Sequence, residues 1–159
     1  MAYEIEHKYL VINTDYRKMA KDSRSITQGY LSRDPECVVR VRIADDKAFL
    51  TVKGRNFGRS KKDAKQDIRH EFEYEIPVAD ALTMLGMAEN NIINKTRFIV
   101  PYQGFVWEVD EFHGSLEGLT VAEIELKSPD DKYALPPFVG EEVTGNPAYY
   151  NSNLIGKVL

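Results

Sequence analysis

The stretch YEIEHKYLVI, residues 3–12, alternates as a strand does, and its polar positions Glu4, Glu6 and Lys8 fall on one face. Two acids and a base in register need a reason, and the same pattern recurs along the chain. In VVRVRIA, residues 38–44, Arg40 and Arg42 oppose Val39, Val41 and Ile43. Thr51 and Lys53 oppose Leu50 and Val52; Arg69, Glu71, Glu73 and Glu75 oppose Phe72, Tyr74 and Ile76. Lys95 and Arg97 oppose Thr96, Phe98 and Val100, and Glu108 and Asp110 oppose Trp107 and Val109. Last, Glu123, Glu125 and Lys127 oppose Ala122, Ile124 and Leu126.

A sheet with one solvated face accounts for any single strand of this kind. It does not account for the set, in which charged residues come as doublets at i and i+2, acids on some strands and bases on others. A cavity that binds a metal and a polyanion does require such segregation. Strand-like runs cover residues 2–12, 26–32, 36–44, 47–55, 67–76, 94–100, 105–112 and 119–127, separated by turn signals such as RDPE, ADDK and PYQG. Short connections make the neighbours mostly antiparallel. Closing eight strands leaves an interior just wide enough for side chains or one small ligand.

The predicted fold is therefore α+β, mainly β: an eight-stranded antiparallel closed barrel with a few flanking helices, one domain over residues 1–159. Its charged faces point inward, and its apolar faces are covered by helices and partner surface. Helices are predicted at 14–23, with Thr14 or Asp15 as N-cap, at 77–87 opening on Pro77, and at 148–156. The basic run GRNFGRSKKDAK, residues 54–65, reads as a mobile loop.

A chain of 159 residues can bury about 70% of the surface its unfolded form exposes. No apolar run approaches membrane-spanning length and no signal-peptide pattern opens the chain, so a cytoplasmic protein without a membrane partner is expected. The net charge of −4 speaks against a nucleic-acid partner. Cys37 stands alone beside Val38 and Val39 and reads as a buried or half-buried small hydrophobe. His7, His70 and His113 lack zinc-type spacing.

Glu4-Ile5-Glu6-His7-Lys8 resembles the ExExK signature of the CYTH superfamily, the triphosphate tunnel metalloenzymes, whose members include small bacterial inorganic triphosphatases, thiamine triphosphatases and class IV adenylate cyclases. QGYL at 28–31, Arg40-x-Arg42, TVKG at 51–54, EFE at 71–73, KTR at 95–97, EVD at 108–110, AEIEL at 122–126 and GEEVT at 140–144 follow in the family's order. The resemblance implies a tunnel holding a triphosphate with Mg²⁺ or Mn²⁺. It implies that Glu4, Glu6 and Glu125 are the principal metal ligands, with Glu123, Glu71, Glu73, Glu108 and Asp110 as further tunnel acids. Lys8, Arg40, Arg42, Lys53, Lys95 and Arg97 become the phosphate-binding set, and Tyr30 resembles a tyrosine that works beside a lysine, here Lys8.

The physics of these groups is compatible with those roles. Strand residues i and i+2 lie about 7 Å apart, within reach of two glutamates closing on one ion. Arginine forks grip phosphate oxygens in pairs, whereas lysines act as point charges. The C-terminal run Tyr149-Tyr150-Asn151-Ser152-Asn153 has no lysine before Lys157, where several relatives place a basic residue, and a short helix plugging one barrel end is expected.

The expected activity is metal-dependent hydrolysis of the terminal phosphoanhydride of a small-molecule linear triphosphate, inorganic tripolyphosphate before ATP or thiamine triphosphate. Either a metal-polarised water or Lys8 with Tyr30 could activate the nucleophile. Cyclisation of ATP to cyclic AMP is the first rival, disfavoured because only Met1, Ala2 and Tyr3 precede ExExK. A non-catalytic polyphosphate- or nucleotide-binding module is the second. The oligomeric state stays open, a homodimer among its forms.

Overall fold

The computed structural model describes residues 2–58 and 66–157. In chain order the elements are β1 (Tyr3–Val11), α1 (Tyr16–Met19), β2 (Asp22–Asp34), β3 (Cys37–Ala44), β4 (Lys47–Gly54), β5 (Ile68–Ile76), α2 (Val78–Met87), β6 (Ile92–Tyr102), β7 (Phe105–Phe112), β8 (Thr120–Leu126), β9 (Val139–Glu142) and α3 (Asn151–Leu154). The strands run β5-β4-β3-β2-β6-β7-β8-β1, and pairing of β1 with β5 closes the eight into an antiparallel barrel. β9 adds a ninth strand on β1.

β9 escaped the sequence reading because Val-Gly-Glu-Glu has no apolar alternation. It fits against β1 only through Gly140, where a Cβ would stand 2.5 Å from Ile12 Cγ2. β5 and β9 share one edge of β1. Tyr3–Ile5 pairs with Ile68–His70, whereas Tyr9 and Val11 pair with Glu142 and Val139. In the seam between them Glu6 N–H donates to Asp67 O (3.1 Å) and Lys8 N–H to Thr144 Oγ1 (2.9 Å). Coil residues thus satisfy β1 where β5 leaves it, and they bring the C-terminal segment to the barrel wall.

The helix opening on Pro77 forms as expected at Val78–Met87, and the other two are shorter than predicted. The helix expected at 14–23 stops at Met19 because Asp22–Gly29 pairs with Ile92–Ile99 as the start of β2. Asp15 is itself helical and makes no side-chain cap bond. Within the predicted 148–156, a 3₁₀ turn at Pro147–Tyr149 precedes the single turn of α3, and Asn146 caps the former by accepting from Ala148 N–H at 3.0 Å. Cys37 is exposed, against expectation, because it starts β3 at the rim opposite the side-chain-free Gly54. Residues 59–65 of the basic run lie outside the described residues.

The apolar core sits outside the barrel. Ile5, Tyr9, Val100, Trp107, Val109, Ala122 and Ile124 point outward from β1, β6, β7 and β8 and are covered by Tyr16 of α1, Tyr133 and Phe138. Fully burying a large side chain of this kind contributes about 2 kcal/mol. One end of the interior is apolar too: Leu154 of α3 packs with Tyr30, Val38, Ile93, Phe112 and Val121. Among the described residues no helix is long and apolar enough to cross a membrane.

α2 lies directly on β2, β3 and β4. A Cβ on Gly29 would meet Ile92 Cδ1 at 2.8 Å, Ala88 Cβ at 2.9 Å and Leu85 Cδ2 at 3.0 Å. Gly29→Ala is therefore expected to destabilise the fold by about 1–3 kcal/mol through overpacking. A urea titration measures this, and an unchanged midpoint would mean that α2 can move off β2.

Candidate active site

Period-two alternation turns the charged faces of β1, β3, β4, β5, β6, β7 and β8 inward, around a cavity of about 230 Å³ to which β2 contributes Tyr30. Glu4, Glu6, Lys8, Tyr30, Arg40, Arg42, Lys53, Glu71, Glu73, Lys95, Arg97, Glu108, Glu123 and Glu125 all line it. Of the residues predicted for the site, Asp110 alone is absent from the lining. It lies 1% exposed, accepting from Arg97 Nε (2.8 Å) and NH2 (2.9 Å), while Lys95 Nζ stands 2.8 Å away. Both carboxylate oxygens are engaged with these two cations, and Asp110 does not reach the cavity surface.

The acids gather on β1, β5, β7 and β8. Glu6 stands directly opposite Glu125, and Glu123 lies between Lys8 of β1 and Glu108 of β7. Lys53 Nζ reaches Glu4 at 2.8 Å and Glu71 at 3.2 Å. Burial would raise the Glu4 carboxyl, but the Lys53 ammonium outweighs it and draws the group down to about 2. Glu6 behaves oppositely: burial and the adjacent Glu123 and Glu4 raise it well above the ordinary carboxylate range. Glu125 is pushed up to about 7 by burial and by Glu4, Glu71 and Glu108. Crowded carboxylates that resist ionising form a donor set whose mutual repulsion a bound cation would relieve.

Among the described residues no three acids or histidines already converge as a chelating group. Lys53 bridges Glu4 and Glu71, and Lys8 lies 3.9 Å from Glu6 and 3.4 Å from Glu123. The donor chemistry still fits a hard divalent cation, since Glu6 and Glu125 face each other and Mg²⁺ usually takes one or two carboxylates plus phosphate and water oxygens.

The cations gather on β3 and β6. Arg40 NH2 lies 3.5 Å from the exposed Glu73, and Arg40 Nε is buried without a partner among the described residues. Arg97 NH1 donates to Glu108 at 3.1 Å. Burial pushes the Lys95 ammonium down to about 7, with Arg97 and Arg42 adding to this and Asp110 opposing it. Lys8 is held 3.4 Å from Glu123 and donates to Tyr149 O at 3.0 Å. Against the effect of burial, Glu123 and Glu6 raise its pKa, so Lys8 stays an ammonium at neutral pH.

Arg42 differs from all of these. Its Nε and NH2 donate to the amide oxygen of Gln28 at 3.0 and 2.7 Å, and among the described residues no carboxylate lies within 4.0 Å. Burial and the neighbouring Arg40 and Arg97 push this guanidinium down to about 9. A half-buried cation with no carboxylate partner among the described residues, beside an orphaned arginine N–H, offers donors suited to an anion.

A family model for the CYTH domain matches residues 2–152. The chain belongs to the CYTH family. The inorganic triphosphatase of Acetivibrio thermocellus is 44% identical to this CYTH protein over 156 residues, covering 98% of this chain and 94% of that relative. The inorganic triphosphatase of Nitrosomonas europaea is 31% identical over 156 residues, 95% of each chain. A crystal structure of an inorganic triphosphatase superposes with a TM-score of 0.64 at 30% identity over 96% of this chain and 97% of that one. A Hippeastrum putative adenylyl cyclase with dominant triphosphatase activity shares the fold at 16% identity and a TM-score of 0.56, over 79% of this chain and 80% of that one.

The cavity of this CYTH barrel also holds residues outside the predicted site set, one of which, Arg69, alternation had already put on the charged face of β5. Arg69 lines the cavity two residues before Glu71, where period two puts it; its Nε donates to Asp67 at 2.8 Å and its guanidinium lies 4.2 Å from the Tyr150 ring centre. Asp67, Tyr150 and Asn151 enter from coil and a one-turn helix, for which periodicity gives no signal. Asn151 Oδ1 accepts from Lys95 Nζ at 2.8 Å. Gln28 was legible as part of QGYL, two residues from Tyr30, but an uncharged residue falls outside a search for charge.

Proposed function

We propose that this protein is a metal-dependent triphosphatase that hydrolyses the terminal phosphoanhydride of a linear triphosphate, with inorganic tripolyphosphate its preferred substrate. The observation that carries the reading is Arg42, a half-buried cation with no acid partner among the described residues, beside an unpartnered Arg40 N–H in a cavity also lined by a bank of crowded carboxylates. The triphosphatases of A. thermocellus and N. europaea, related over nearly the full chain, support the same assignment.

In this reading Arg40, Arg42, Lys95 and Arg97 bind the non-bridging phosphate oxygens, with Lys8 and Lys53 as further positive charge. Arg97 and Lys95 are presented by Asp110, which fixes the guanidinium fork before substrate arrives. Glu4, Glu6, Glu123 and Glu125 would hold Mg²⁺ or Mn²⁺, with Glu71, Glu73 and Glu108 further out. A divalent ion there supplies positive charge that neutralises phosphate oxygens and polarises water. Lys8, held as an ammonium by Glu123, serves as a donor and not as the base. Water attacks the terminal phosphorus and the phosphoanhydride breaks, releasing phosphate and pyrophosphate. Phosphoryl transfer asks a protein mainly for positioning and charge stabilisation, and these side chains provide both.

The test is purified protein with Mg²⁺ or Mn²⁺ given tripolyphosphate, ATP and thiamine triphosphate in parallel, with phosphate and cyclic AMP both measured. Tripolyphosphate is expected to have the highest kcat/KM, with phosphate as product from each. Cyclic AMP as the main product from ATP would overturn the reading, as would tight tripolyphosphate binding without turnover under any divalent metal.

A further inference from the structure

Gln28 is fully buried at the centre of β2, directly opposite Arg42 of β3. A primary amide in that position is costly unless both of its ends are satisfied. Its orientation follows from its neighbours. Arginine has only donors, so the atom that takes Arg42 Nε (3.0 Å) and NH2 (2.7 Å) is the amide oxygen. The amide NH2 then faces the other way and donates to Tyr30 Oη at 2.8 Å, with Asn151 Oδ1 3.4 Å away.

We propose that Gln28 is a positioning residue for phosphate binding: its amide locks the Arg42 guanidinium through a neutral acceptor and turns the Tyr30 hydroxyl proton into the cavity. The inference rests on the triphosphatase reading above. Lys8, Arg40, Lys53, Arg69, Lys95 and Arg97 each have a carboxylate within 4.0 Å, so part of their charge is already matched. Arg42 is oriented without being neutralised, and its remaining N–H groups are left for substrate. The amide is the side chain that permits this, since the isosteric glutamate would hold the fork in the same place and cancel its charge. Tyr30 follows from the same geometry. Its oxygen already accepts from Gln28, so its own proton is available to a phosphate oxygen in the cavity it lines. Gln28 thereby sets two side chains, from two strands, as donors to one anion.

Gln28→Glu keeps the shape and reverses the electrostatics. It is expected to melt at or above the wild-type temperature, because Arg42 gains a counter-ion. It is also expected to raise KM for tripolyphosphate by about tenfold or more, the equivalent of one hydrogen bond to a charged group. The thermal shift that tripolyphosphate gives the wild type should shrink in parallel. Gln28→Met keeps the volume without hydrogen bonds, and provides the test if the glutamate variant does not fold. Its KM should rise while kcat changes less. A second readout is independent of substrate: the Arg42 side-chain Nε–H resonance, assigned by its loss in Arg42→Lys, should be protected from exchange in wild type and unprotected in Gln28→Met. An unprotected resonance in wild type, or a KM in Gln28→Glu within twofold of wild type, overturns the proposal. If wild type neither binds nor turns over tripolyphosphate, the functional reading fails, and the resonance still decides whether Gln28 positions Arg42.

Discussion

Arg42→Ala is expected to lower kcat/KM for tripolyphosphate by on the order of a hundredfold or more, while leaving the substrate-free protein as heat-stable as wild type or more so. The two effects have one origin. Arg42 is half-buried beside Arg40 and Arg97, and desolvation together with these neighbours pushes its guanidinium down to about 9, so the charge opposes folding at neutral pH. Removing it relieves repulsion, and the vacated space opens onto the cavity, where water can reach the Gln28 oxygen. A charge that costs stability and is still present is a charge held for a ligand. Lys53 provides the contrast. It bridges Glu4 and Glu71, and Lys53→Ala leaves two half-buried acids without their shared cation, so that variant should lose melting temperature as well as activity. Calorimetric melts of both variants, paired with initial rates, test the distinction. A large fall in melting temperature for Arg42→Ala would mean that its role is structural.

The barrel was legible because its inside and outside differ in charge, and period two separates them without knowledge of strand order. Arg40 and Arg42, Lys95 and Arg97, and Glu4 and Glu6 all reached the cavity for that reason. Alternation says which face a side chain leaves from. It does not say whether the group is free on arrival. Asp110 shares its face with Glu108, yet the Arg97 fork opposite it in β6 closes on its carboxylate. β9, Asp67 and Asn151 were illegible for a different cause: their positions depend on contacts with residues distant in the chain, and local sequence carries little of that information. The C-terminal plug was visible in outline from the absence of lysine, but its single helical turn and the Asn151–Lys95 bond were not.

Removing divalent metal is expected to abolish turnover, and Glu6→Gln and Glu125→Gln should each lower it by at least about a hundredfold, since each takes a charged oxygen ligand from a hard cation. The stability of the metal-free protein gives a second, independent reading of the same site. Glu6, Glu71 and Glu125 are all raised by burial and by neighbouring acids. A carboxyl raised in the folded state contributes stability that is fully present below its unfolded pKa and is lost as pH rises through the folded value. For Glu125 that window runs from 4.5 to about 7. Glu4 is shifted downward, to about 2, so its own contribution falls away only at more acid pH and does not offset the trend within the window. The metal-free protein should therefore melt at a lower temperature at the upper edge of the window than at the lower edge. Added Mg²⁺ or Mn²⁺ should raise the melting temperature more at the upper edge, where the carboxylates are ionised and protons no longer compete. In Glu6→Gln and Glu125→Gln the metal-free melt should lose part of its pH dependence and the metal-induced rise should shrink with it. A metal-induced rise that is the same in these variants as in wild type would place the ion elsewhere, and full turnover in EDTA would remove it from the mechanism altogether.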